Sequence, residues 1–183
     1  MRKLGFIVLM IVAGWPLPGS SHEQEYQIKA VFLEQFTRFI EWPDSSAVSD
    51  TSAPFIVAVI GKSPFGSILE KTFSKREIKQ KKAEIRTIST PDEIADCHLL
   101  FIASSSKKNL PEILNHTRNK PILTVGDTEG FAQEKVLVNF YLSGKKVKFE
   151  INEKAVHESG LVVSYMLLNL ARIVDPVRAK TWD

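Results

Sequence analysis

The sequence predicts an α/β fold: a single-domain three-layer sandwich with a mostly parallel sheet, an antiparallel C-terminal hairpin, and helices on both faces. Two observations lead there. From Phe55 onward, short apolar runs alternate with segments of helical periodicity, the pattern of right-handed strand–helix–strand crossovers that bury a parallel sheet on both faces. Towards the end the rhythm breaks. Apolar runs at 136–142 and 146–151 flank Ser143-Gly144-Lys145, which reads as a β-hairpin and adds antiparallel strands to one side.

The elements follow in order. Residues 1–21 have the layout of a secretory signal peptide, with Arg2 and Lys3 before an apolar core at 4–13, then Pro16, Pro18, Gly19, Ser20 and Ser21. A core of about ten residues is well short of the roughly twenty that span a bilayer. Cleavage is therefore expected near Ser20 or Ser21, leaving a folded part at 22–183 of about 160 residues, a size suited to one core.

Residues 25–40 read as a helix, because Ile28, Val31, Phe32, Phe36, Phe39 and Ile40 recur at helical spacing with Lys29, Glu34 and Arg38 between them. Pro43 forces Trp42 out of helical geometry, and the Ser/Asp-rich stretch 44–53 is a surface loop. Strands are predicted at 55–60, 83–88, 98–103 and 121–125. Helices are predicted at 65–74, capped by Ser63 with Pro64 at its first position, at 91–95 and at 107–117. After the hairpin, Asn152 caps a final helix at 153–174. Its apolar content requires burial by this chain or by a partner.

Composition excludes several functions. The formal charge of +3 includes Arg2 and Lys3, so the part after the signal segment carries about +1 and offers no footprint for nucleic acid. The lysines of 71–82 read as a solvated face. Cys97 is the single cysteine, so no internal disulfide forms and the core alone holds the domain. His22, His98, His116 and His157 lack ligand spacing, and neither a metal nor a cofactor is expected.

Parallel sheets bind ligands at the carboxyl ends of their strands, so the turns there are the first places for chemistry. Gly61, Lys62 and Ser63 after the first predicted strand, and Ser105 and Lys107 after the third, are candidate anion-binding turns. Neither has the spacing of a nucleotide loop, no Gly-x-Ser-x-Gly elbow surrounds the serines, and turn chemistry alone explains the carboxylates Asp127 and Glu129. No catalytic set emerges. The chain reads as a binding protein rather than an enzyme.

Lys29-Ala30-Val31-Phe32-Leu33, followed by Phe36, Phe39 and Trp42-Pro43, closely resembles the opening of the YfiR family. Ile60-Gly61 with Pro64-Phe65-Gly66, Leu123-Thr124-Val125 with Asp127 and Gly130-Phe131, 147–152, and Leu161 with Leu167, Leu168, Leu170 and Ala171 resemble family blocks in family order, over about 26–174. The resemblance implies a periplasmic protein, often a homodimer, that binds the periplasmic domain of a membrane diguanylate cyclase and keeps cyclic di-GMP and biofilm formation low. In some members an outer-membrane-associated partner relieves that restraint. Well-known members carry cysteine pairs, from which this chain departs. A periplasmic small-ligand sensor acting with a histidine kinase or transporter is the competing reading. For partner binding, Phe149, Glu150 and His157 are the candidate anchors, because they flank the short turn between the hairpin and the last helix.

Overall fold

A computed structural model describes residues 21–174. The expected signal segment, Ser21 excepted, lies outside them. Helix α1 (Ser21–Phe39) starts earlier than its periodicity suggests and runs into a two-residue strand, β1 (Ile40–Glu41). Strand β2 (Phe55–Ile60), helix α2 (Ile68–Phe73), strand β3 (Ala83–Ile88), strand β4 (Leu99–Ile102), helix α3 (Leu110–Thr117) and strand β5 (Leu123–Gly126) follow. The predicted helix at 91–95 is a single 3₁₀ turn at Pro91–Ile94, closed by a capping box between Thr90 and Glu93. The hairpin is β6 (Val138–Ser143) and β7 (Lys146–Ile151), with Ser143 opposite Lys146.

The main sheet has seven strands in the order β3-β2-β4-β5-β6-β7-β9, β9 being Arg172–Ile173. Pairing is parallel from β3 to β6, antiparallel between β6 and β7, and parallel again between β7 and β9. The period of two along each strand divides the core. Phe55, Val57 and Val59 of β2, with Leu99 and Phe101 of β4, join the cluster beneath α1 and α2. Ile56, Ala58 and Ile60, with Leu100 and Ile102, join the opposite cluster with Ile94, Leu110 and Ile113. Helices therefore cover both faces, as the uninterrupted apolar runs require.

Two expectations are corrected. The buried stripe of α1 consists of Tyr26, Lys29, Ala30, Leu33, Glu34, Phe36 and Thr37, while Ile28 and Val31 face outward. The stripe includes charged residues because each has a partner there: Lys29 meets Glu25 and Asp127, and Glu34 accepts from Arg38 and Gln35. The single final helix is also absent. Helix α4 (Glu153–Ser159) is capped by Asn152, whose side chain accepts from the Ala155 amide at 2.8 Å, but it ends at Gly160. Gly160 takes φ +79°, a left-handed geometry that glycine adopts without strain and that stops the helix. Val162–Val163 then forms strand β8, Tyr165–Leu168 forms the single turn α5, and the chain reaches β9.

The loop 42–54 closes the amino end of the sheet. Trp42 packs edge-on against Phe55, with ring centroids 5.6 Å apart, and Phe55 stacks on His98 at 4.8 Å. His98 is buried, and its Nδ1 accepts from the Ile56 amide at 2.9 Å. Burial, reinforced by the nearby Lys81 ammonium, holds its pKa below the ordinary value. A depressed histidine pKa means that the unfolded chain takes up the proton first. Stability is therefore complete above about pH 6.5 and declines as pH falls from there towards the folded-state value. Urea midpoints measured between pH 7.5 and 5 should fall for the wild type, and that component of the slope should vanish in His98→Gln. Equal slopes in the two proteins would rule this role out.

Candidate functional site

The strand order reverses between β2 and β4, so the crevice outside their carboxyl ends is where a sheet of this kind holds ligands. The chain fills that crevice with its own turns. Gly61 has φ +94°, and a Cβ there would lie 2.3 Å from Ser106 Oγ and 2.7 Å from Ser105 Oγ. Only glycine allows so close an approach. The Lys62 amide donates to Ser105 Oγ at 2.9 Å, and Ser106 Oγ donates to the Ile60 carbonyl at 3.2 Å. Gly61, Lys62 and Ser105 are thus brought together, with the Lys62 amide bonded to Ser105. Ser63 accepts weakly from the Phe65 amide at 3.4 Å instead of capping α2, which starts at Ile68. Lys107 is exposed on the 3₁₀ segment Ser104–Asn109.

Beside it, Asp127 follows β5 and is sealed by α1. Tyr26 Oη and Lys29 Nζ each donate to Asp127 Oδ2 at 2.7 Å, and Glu25 lies 2.5 Å from Lys29 on its other side. Tyr26 also packs edge-on against Phe65. Burial first, then the hydrogen bond to Asp127, pushes the Tyr26 phenol far above its ordinary range, so it remains a donor at all physiological pH values. Asp127 therefore serves as an internal anchor for α1. Tyr26 and Lys29 are the residues the periodicity argument overlooked. Their visible signal was their spacing with Ala30 and Leu33 along one helical stripe.

The third place is the C-terminal segment. Strand β8 pairs antiparallel with β1, setting Ile40 opposite Val163 and Glu41 opposite Val162, and the Ser164 amide donates to the Phe39 carbonyl at 2.8 Å. At its other end β9 pairs with β7, and the Val174 amide donates to the Ile151 carbonyl at 3.0 Å. Along 161–170, Leu161 and Leu167 turn inward, while Val162, Tyr165, Met166 and Leu170 turn outward with 60–77 % of their surface exposed. Isolated exposed apolar residues are ordinary; several large ones within nine positions make this segment the candidate for an interaction surface. A groove of about 190 Å³, lined in part by His157, Leu161, Val162 and Leu168, adjoins it.

Of the three expected anchors, His157 is exposed beside this groove. Phe149 is not on the surface: its ring lies 5.0 Å from Phe36 and 5.6 Å from Phe32, because its strand position faces α1. Glu150 is buried as well, joined to Asn139 and Arg172. The exposed apolar side chains lie further along the chain, hidden from sequence reasoning by the expectation of one continuous helix.

A family model described as YfiR/HmsC-like matches residues 26–172, most of the chain. The chain belongs to the YfiR/HmsC-like family. At the level of the family, this supports a periplasmic, regulatory rather than catalytic protein in cyclic di-GMP signalling. Among the described residues no helix is long and apolar enough to cross a membrane, and no group of three His, Cys, Asp or Glu side chains is placed to hold a metal. The fold of this YfiR/HmsC-like chain is also similar to a solved structure titled as an ABC domain in complex with L-Trp from Streptococcus pneumonia. The TM-score is 0.52 at 11 % identity, over 78 % of this chain and 62 % of that one. The chain thus spans less than two thirds of that relative, and at this identity the likeness concerns the fold alone.

Proposed function

We propose that this chain binds the periplasmic domain of an inner-membrane diguanylate cyclase through the outward face of 162–170 and represses it, lowering cyclic di-GMP and biofilm formation without itself making or degrading the dinucleotide. The exposed cluster Val162, Tyr165, Met166 and Leu170, fixed at both ends to β-strands, carries this reading. Binding energy concentrates in a few large apolar anchors held in place, and Tyr165 is of the residue types enriched among them. His157 lies at the rim and contributes less. An outer-membrane-associated protein competing for the same face would release the cyclase, and pairing of two copies would also cover it. The small-ligand reading is weakened by the crevice at Gly61, which Ser105 and Ser106 already occupy.

The test uses the epitope-tagged chain in its native host. A membrane diguanylate cyclase should co-purify with the wild type. Tyr165→Asp and Met166→Asp, both exposed and so expected to shift stability by no more than about 0.5 kcal/mol, should lose the cyclase and raise cellular cyclic di-GMP. Retention of the cyclase by both variants at wild-type abundance would remove this face from the interface.

A further inference from the structure

The docking segment ends in a two-residue strand on each side, and the attachment at β9 includes a feature that backbone pairing does not need. Glu150 is a β7 residue with 3 % of its side chain exposed. Its Oε1 accepts from Asn139 Nδ2 at 3.2 Å. Its Oε2 accepts from Arg172 Nε at 3.0 Å and from the second guanidinium nitrogen Nη2. Arg172 stands directly opposite Glu150 in the β7–β9 register, and its guanidinium lies 4.1 Å from the centre of the Tyr141 ring. A two-residue strand at a sheet edge frays readily on its own. A forked guanidinium held by a buried carboxylate and an aromatic face fixes both its position and its rotation.

We propose that Arg172 is the positioning residue of the docking surface: through Glu150 and Tyr141 it clamps β9 to the sheet, and so sets the angle at which the segment before it presents Tyr165, Met166 and Leu170. This rests on the docking face proposed above. Asn139 joins the same network from β6, which ties the clamp to the centre of the sheet. The carboxylate is bound on one side by the sheet and on the other by the segment, so loss of Arg172 both frees the segment and strands a buried charge. These consequences are separable. In Arg172→Met the carboxylate is stranded and the thermal midpoint falls. In Arg172→Met combined with Glu150→Gln the stranded charge is gone and the midpoint returns most of the way, yet the clamp is still missing.

The experiment compares wild type, Arg172→Met, the Arg172→Met/Glu150→Gln double variant, and Arg172→Lys as the variant that keeps charge without the fork. Amide hydrogen exchange over 165–174 should accelerate at least about tenfold in Arg172→Met and in the double variant, while the strands β2, β4 and β5 stay protected. Affinity for the cyclase co-purified from native membranes should fall roughly tenfold in both, within the usual 5–150-fold range for coupling between a remote group and a binding surface. Arg172→Lys should recover part of each. Wild-type exchange at 165–174 in the double variant would overturn the clamp whatever the partner proves to be. Accelerated exchange with unchanged affinity would show that Arg172 orders the segment without positioning the surface. Tyr165→Asp serves as the control: its failure to weaken binding disproves the docking face, and the exchange arm still decides the clamp.

Discussion

Phe36→Ala is expected to destabilise the protein by about 3–5 kcal/mol, the usual loss when a large aromatic side chain is removed from a packed core. Phe36 is fully buried at the point where α1 crosses the hairpin. Its ring stacks on Phe140 at 5.7 Å and on Phe32 at 6.1 Å, and meets Phe149 edge-on at 5.0 Å. The three remaining rings, Phe32 from the helix and Phe140 and Phe149 from two adjacent strands, cannot all move inward to fill the space, so the cavity persists and the cost sits at the upper part of the range. For a domain of this size the thermal midpoint should fall by roughly 6–20 °C. Because whole-domain stability is about 5–15 kcal/mol, some expressed variant should already be unfolded at 37 °C. A urea midpoint within error of the wild type would mean that α1 does not pack on β6 and β7 as described. Phe36→Leu, which keeps more of the volume, should recover much of the loss.

The parts of the fold legible in the sequence are those where one physical cause dominates. Phe55–Ile60 is apolar at every position, short, rich in β-branched residues and bounded by Pro54 and Gly61, which together suit a strand covered on both faces. Asn152 was readable as a cap because its side chain does one local job. The final segment failed because apolar content outweighed a backbone signal. Gly160 followed by the β-branched pair Val162–Val163 and then Ser164 spells a helix stop, a strand and a new cap, and the observed chain follows that local chemistry. Its exposed side chains became visible only when the helix was broken. Phe149 shows the converse limit. Alternation places it on one face of β7, but which face α1 covers depends on the packing of residues more than a hundred positions away. The Asp127 anchor lies beyond sequence reading for the same reason, since its partners are 98 and 101 positions distant.

That anchor gives the second large effect. Asp127 has 6 % of its side chain exposed and Lys29 5 %, so each charge depends on the other for what water no longer supplies. Lys29→Met leaves the carboxylate with the Tyr26 hydroxyl as its remaining donor from α1, and should cost about 3–5 kcal/mol, as the breaking of buried pairs does. Asp127→Leu should cost less, because Lys29 keeps Glu25 at 2.5 Å; what it strands is chiefly the Tyr26 hydroxyl, worth about 1–3 kcal/mol. The double variant removes both charges at once and substitutes apolar volume, so it should be more stable than Lys29→Met and far from the sum of the two single losses. Urea midpoints of the four proteins complete the cycle, and strictly additive losses would show that the two groups do not interact. Recovered stability should not restore everything. With no charge to orient it, the first turns of α1 lose the contact that holds them over the end of β5, and amides at 25–30 should exchange faster in the double variant than in the wild type even at matched global stability. Identical exchange there would reduce the pair to a stabilising contact with no part in placing the helix.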